Sequence, residues 1–140
     1  SENLRVVFGG DTEGGIFAEP TVVDGVGRDS RLFKEEIFGP VLSVTTFTGI
    51  EEAISLANDS VYGLAAAAYT SNLNNAIRLS REIRAGVVTV NCFGEGDITT
   101  PFGGYKESGF GGRDKSVWAH DQYTEIKTVW IDVPDRTGAK

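Results

Sequence analysis

Two acids, an aromatic and a Gly-Pro turn stand together at Lys34-Glu35-Glu36-Ile37-Phe38-Gly39-Pro40, just ahead of an apolar run. A carboxylate accepts two hydroxyl hydrogen bonds at once, which suits the diol of a ribose. An aromatic two residues further along an extended segment faces the same side and can pack on a planar ring. The same spacing also reads as a solvated charge pair followed by a core phenylalanine. Cys92 is the only thiol, directly after the apolar run ending at Asn91. With His120 it offers a nucleophile and a base. The plainer reading is a small buried hydrophobe, and no triad partner is implied by the spacing. A glycine-rich stretch then presents Phe93, Asp97 and Phe102, either to a ligand or as a wedge between packed elements. Arg113 and Glu125 carry opposite charges across the last connection, as a pair or as two separately solvated groups. No Gly-Lys-Ser/Thr follows a glycine-rich segment, so neither one is a phosphate loop.

These residues need elements to position them. Val41 to Phe47 is β-branched and apolar after Gly39-Pro40, which predicts a strand. Thr48 and Glu51 have the spacing of a capping box. Ile50, Ala53, Ile54 and Ala57 then repeat as one face of a helix, ending at Asn58 to Gly63. Leu64 to Thr70 suits a buried strand. A second helix starts at a Ser71 or Asn72 cap, with Leu73, Ala76, Ile77, Ser80 and Ile83 inward and Arg78, Arg81 and Glu82 outward. Gly86 has the character of its C-terminal cap. Val87 to Asn91 is the next strand. Strand, helix, strand, helix, strand with short links predicts an α/β fold, a parallel βαβαβ sheet with flanking helices. Open sheets of this kind bind ligands beyond the carboxyl ends of their strands, which places the loop after Asn91 at the ligand end. Residues 4–8 and 20–23 read as two further short strands. Phe93 to Gly112 holds seven glycines and no period, a long ordered loop of the kind that carries function. Glu125 to Ile131 alternates as a strand, with Trp130 on one face, and suits a sheet edge or another chain.

Composition narrows the classes. The chain has 140 residues and a net charge of −7 with scattered acids, which argues against nucleic acid and anionic membrane as partners. No apolar run reaches the roughly 20 residues of a membrane span. One cysteine and one histidine leave no disulfide and no metal site. The opening residues show no secretory leader pattern, so a cytoplasmic location is expected. A chain of this length is expected to bury about two thirds of its unfolded surface.

From Phe8 to Ile131 the ordered motifs resemble the aldehyde dehydrogenase superfamily, specifically the C-terminal portion of its catalytic and oligomerisation domains. The carriers are Gly9-Gly10, Pro20-Thr21, Glu35-Glu36-Ile37-Phe38-Gly39-Pro40-Val41, Ala57-Asn58, Tyr62-Gly63-Leu64-Ala65-Ala66 and Ala85-Gly86-Val87-Val88-Thr89-Val90-Asn91. Pro101-Phe102-Gly103-Gly104-Tyr105-Lys106-Glu107-Ser108-Gly109 and Tyr123-Thr124-Glu125-Ile126-Lys127-Thr128 complete them. The resemblance implies NAD or NADP as cofactor, with Glu36 on the nicotinamide ribose hydroxyls and Phe38 against the nicotinamide. It implies that Phe102 lines the aldehyde tunnel, with Phe93 and Asp97 on the same loop setting substrate preference. It implies a structural Arg113–Glu125 link near a subunit interface, and a homo-oligomer built through the C-terminal strand. The implied organisation is residues 1–122 as catalytic-domain portion, 123–133 as oligomerisation strand and 134–140 as tail.

Gly96 to Pro101 and Gly112 to Ser116 look closest to aminoaldehyde dehydrogenases of the γ-glutamyl-γ-aminobutyraldehyde type. Asp97 would there face a cationic or amide-bearing substrate. The family reaction needs a thiolate that attacks the aldehyde, hydride transfer to NAD(P)⁺, and hydrolysis of the thioester. No match to the family's nucleophilic cysteine, base, oxyanion-hole asparagine or dinucleotide fold is found here, and Cys92 matches a non-nucleophilic position. The chain, which opens mid-pattern without an initiator Met, is therefore expected to be a catalytically inactive piece of the enzyme. The competing expectations are a stand-alone interaction module that pairs through the C-terminal strand, and a thiol enzyme based on Cys92.

Overall fold

The computed structural model describes residues 4–12, 14–94 and 96–133. Five strands and three helices alternate as β1 (Arg5–Phe8), β2 (Thr21–Asp24), α1 (Arg31–Lys34), β3 (Val41–Ser43), α2 (Ile50–Asn58), β4 (Ala65–Ala68), α3 (Leu73–Glu82) and β5 (Val87–Val90). Two 3-10 turns, Lys106–Ser108 and Val117–Tyr123, follow.

The fold is α/β with parallel pairing, but the strands form two sheets rather than one. β4 and β5 pair in parallel from Ala65↔Val87 to Ala68↔Val90, with α3 as the crossover. The expected continuation to β3 is absent: β3 is an edge strand of a second sheet, paired with β2. Thr21↔Val41, Val22↔Leu42 and Val23↔Ser43 pair in parallel, and β1 adds to the far edge of β2 in antiparallel sense. Beyond the ladder, Val44 N–H donates to the Val23 carbonyl at 2.8 Å and Val26 N–H to that of Val44 at 3.1 Å. Thr45 Oγ1 donates to the Val26 carbonyl at 2.7 Å. These bonds hold Val44 and Thr45 against the end of β2 and the residues after it, while the strand itself ends at Ser43, short of the apolar run.

The caps also differ from the spacing. Gly49, at φ 84°, is the residue before α2, and Glu52 rather than Glu51 reaches back, accepting from the Thr48 N–H at 2.6 Å. Glu51 is occupied elsewhere, 2.7 Å from Arg78 Nη1. Asn72 caps α3 by accepting from the Asn75 N–H at 3.2 Å. Ile83, in extended conformation, ends α3, so Gly86 is not its cap. Gly86 instead permits a close approach of two backbones, since a Cβ there would run into the carbonyl of Gly103, which packs directly on it. On α3, Arg78 is drawn into a network with Glu51 and Glu82, while Leu73 and Ile77 stay exposed.

The core is thin. Val23, Val26 and Ile54 are the buried hydrophobic residues among those described. The accessible surface is 11194 Å², against about 7,000 Å² for a compact monomer of this mass, so about half of the unfolded surface is buried rather than two thirds. No described helix is long and apolar enough to cross a membrane. Residues 124–133 form neither helix nor ladder, with Ile126, Trp130 and Ile131 open to solvent. The alternating pattern there joins neither sheet among the described residues. The tail 134–140 lies outside the described residues.

Candidate functional site

α1 decides which of the paired acids is available. Arg31 and Glu35 are one helical turn apart, and their side chains meet in a two-point contact of 2.8 Å at each end. The Arg31 guanidinium holds the Glu35 carboxyl below its ordinary range. Glu36 lies past the end of α1 and makes no hydrogen bond or ion pair among the described residues. Its two oxygens are therefore free to accept hydroxyl donors.

Glu36 borders an open cleft of about 420 Å³ with Tyr62, Leu64, Arg84 and Ser108. Phe38 sits at φ 54° and is 93% exposed. A left-handed phenylalanine is costly, of order 1–3 kcal/mol, and persists where the surroundings impose it. The segment is anchored from its start: Lys34 Nζ lies 2.9 Å from Asp59 Oδ1, and Arg28 Nε 3.1 Å from Asp59 Oδ2. Arg28 also donates to Ser55 Oγ at 2.9 Å, tying this segment to α2.

The long loop leaves the end of β5 through Asn91, at φ 57°, whose side-chain amide both accepts from and donates to the Thr70 backbone, at 2.8 and 2.9 Å. Cys92 is exposed rather than buried. Phe93 is 89% exposed. Asp97 closes its own turn: Oδ1 accepts from Thr99 N–H at 2.7 Å and Thr99 Oγ1 at 2.6 Å, and these bonds lower its pKa. Phe102 is held more firmly, through a two-way backbone bridge to Asp114 of 2.9 and 2.7 Å, with Lys115 Nζ 5.5 Å from the ring centroid. It lines a small cavity of about 200 Å³ that also touches Leu64, Ser108 and Gln122. An adjoining open hollow of about 660 Å³ is bounded by Ile98, Pro101, Lys115, Trp118 and His120.

Glu36 and Phe102 thus face two neighbouring hollows that share Leu64 and Ser108 as wall. Arg113 and Glu125 are not joined. The Arg113 guanidinium turns inward, donating to the Gly112 carbonyl at 2.8 Å and lying 5.6 Å from the Tyr105 ring, while Glu125 stands exposed. No group of three or more His, Cys, Asp or Glu that could hold a metal occurs among the described residues.

Residues 1–129 match the model of the Aldehyde dehydrogenase family. The chain belongs to that family. It is 78% identical over 132 residues to the aminoacetaldehyde dehydrogenase of Pseudomonas aeruginosa, covering 94% of this chain and 27% of that protein. It is 54% identical over 114 residues to the NADP/NAD-dependent aldehyde dehydrogenase PuuC of Escherichia coli, covering 81% of this chain and 23% of the other. In three dimensions it resembles a variant of the P. syringae AldA indole-3-acetaldehyde dehydrogenase in complex with NAD⁺ and IAA, with a TM-score of 0.86 and 53% identity, over 94% of this chain and 27% of that one. The chain therefore spans about a quarter of the aldehyde dehydrogenases it matches.

Two side-chain anchors of this part of the fold escape a residue-by-residue reading. Asp59 gathers two cations, Arg28 and Lys34, from segments 25 and more residues away, which no local spacing reveals. Lys106 lies inside the motif after Phe102 but looks in sequence like any surface lysine; only the fold aims its ammonium at two carbonyls. The freedom of Glu36 did have a signal, since Arg31 and Glu35 stand four residues apart on a helical turn.

Proposed function

We propose that this chain supplies the nicotinamide-ribose carboxylate and one wall of the aldehyde site of an NAD(P)-dependent aldehyde dehydrogenase acting on an aminoaldehyde. The observation that carries the cofactor half is the division of labour between two adjacent acids: Glu35 is neutralised by Arg31, and Glu36 is left unpaired beside an outward-facing Phe38. A free carboxylate next to an exposed ring fits one end of a nicotinamide nucleotide. When bound, that cofactor supplies the hydride acceptor. The chain's own part is to accept the ribose hydroxyls at the Glu36 oxygens, to give the ring of Phe38 a planar surface to stack on, and to exclude water from the aldehyde with the ring of Phe102. The adenine and phosphate half needs donors that Glu36 and Phe38 do not provide. The aminoaldehyde assignment is supported by the name of the 78%-identical Pseudomonas relative.

Catalysis by the 140 residues alone is not expected, because they hold no match to the family's nucleophilic cysteine or dinucleotide fold, and Cys92 is an exposed thiol at a non-nucleophilic position. The test is aldehyde-dependent NADH formation by the purified chain with an aminoaldehyde, with intact mass checked on the same sample. No activity at the expected mass supports the proposal; activity at that mass overturns it and makes Cys92 the leading nucleophile.

The segment 123–133 supports a second role, pairing with the sheet edge of another subunit to make a homo-oligomer. Its apolar residues are exposed and its backbone joins no ladder in this chain. Deleting 124–133 should lower the assembly state seen by sedimentation; an unchanged state would remove this role.

A further inference from the structure

We infer that Lys106 is a positioning residue, whose ammonium holds the wall between the Glu36 cleft and the Phe102 cavity and thereby sets how cofactor and aldehyde meet; the inference rests on the roles proposed for Glu36 and Phe102. Lys106 Nζ is partly buried and donates to the carbonyl of Asn58 at 3.0 Å and to that of Ser60 at 2.8 Å. These carbonyls lie at the C-terminal end of α2, where the last carbonyls of a helix lack partners and a cation is favoured. The same turn is braced from behind by Asn58, whose amide donates to the Glu82 carbonyl at 2.8 Å and accepts from the Arg84 N–H at 2.7 Å. The Lys106 contacts therefore end on a fixed point.

The backbone around Lys106 follows the side chain. Tyr105 N–H donates to the Gly63 carbonyl at 2.8 Å and Glu107 N–H to that of Val61 at 3.0 Å. Gly63 N–H donates to Ser108 Oγ at 3.1 Å. Gly63 cannot be larger, since a Cβ there would sit 2.7 Å from the Arg84 carbonyl. Lys106 itself is at φ 52°, a conformation that an L residue keeps where its surroundings over-determine it. The strip stitched down in this way contains Ser108, and it faces Leu64. Those two residues border both the cleft of about 420 Å³ that holds Glu36 and the cavity of about 200 Å³ that holds Phe102. Releasing the ammonium loosens the shared wall of both hollows without touching either ligand-facing side chain.

The experiment uses the dehydrogenase polypeptide that contains this sequence, with NAD⁺ saturating. Lys106→Gly removes the ammonium while its backbone keeps the left-handed turn without strain. The expected result is a fall in kcat of roughly tenfold or more, as for a reacting pair misplaced by a fraction of an ångström. The ratio of kcat/KM between short and long aldehydes should change, added ethylammonium should restore part of the rate, and the melting temperature should stay near that of the parent. Wild-type kinetics overturns the inference. So does a loss shared equally by all aldehydes, unrescued by the amine and accompanied by a lower melting temperature, which marks a purely structural residue. Glu36→Gln and Phe102→Ala are measured in the same assay. If they behave as the parent, the underlying functional reading fails and this inference with it; if they are impaired and Lys106→Gly is not, only the wall is wrong.

Discussion

At the scale of single residues, the site depends on which charges are already spent. Glu35 answers Arg31, so of the two adjacent acids Glu36 is the one without a partner among the described residues, and the one proposed to meet the cofactor. Glu36→Gln keeps the shape and loses the charge; kcat of the enzyme should fall about 10- to 100-fold, the size of a lost charge-assisted hydrogen-bond pair, with steady-state kinetics as the check. Unchanged kinetics would remove Glu36 from the cofactor site. Phe102→Ala should shift the preference among aldehydes more than the affinity for cofactor, and equal changes for every aldehyde would count against a tunnel role. Asp59 gives a pH-dependent case. The Lys34 ammonium hydrogen-bonded to it, with Arg28 beside it, holds its carboxyl below the ordinary 3.8. A carboxylate with a depressed pKa stabilises the fold above its ordinary value, and that contribution is lost as pH falls through the lower folded value. Titration of Asp59 by NMR should therefore give a midpoint below 3.8, returning toward 3.8 in Lys34→Met. A midpoint that Lys34→Met leaves in place would mean the ion pair does not persist in solution.

Elements place these residues through caps and close approaches more than through a deep core. Two of the three helices were legible from period and caps: Ile50, Ala53 and Ile54 mark α2, and Asn72 caps α3, whereas the one-turn α1 was not expected. The particular capping partner was not legible: spacing from Thr48 favours Glu51, yet Arg78, 27 residues away in sequence, pairs with Glu51, and Glu52 accepts from the Thr48 N–H instead. Asn72→Ala should lower stability by about 1 kcal/mol in denaturant unfolding. Gly86→Ala should do more, about 1–3 kcal/mol, because the new methyl meets the Gly103 backbone and forces the site loop away from β5. A Gly86→Ala protein as stable as the parent would show that the loop does not rest on the strand.

For the molecule as a whole, many large apolar side chains stand exposed. Phe8, Ile16, Phe17, Phe47, Tyr69 and Trp130 are all more than half exposed, and three hydrophobic residues are buried among those described. The isolated chain should bind an apolar dye strongly and associate as its concentration rises. A compact monomer with the hydrodynamic size expected of 15.0 kDa and no dye binding would contradict this.

The ordered motifs carried the resemblance to the family, and β1 to β5, α2 and α3 were marked in local sequence, because period, capping and turn chemistry act over a few residues; α1 was not marked, and the strand expected at 125–131 joins no ladder. Three things were decided only by the tertiary structure. β3 pairs with β2 rather than extending the β4–β5 pair, since an apolar strand carries no mark of its partner. Arg113 turns to Tyr105 instead of Glu125, because a charge pairs with what the fold brings near it. The ammonium of Lys106 reaches the end of α2, across 46 and 48 residues of chain, because only folding can bring together groups that far apart in sequence.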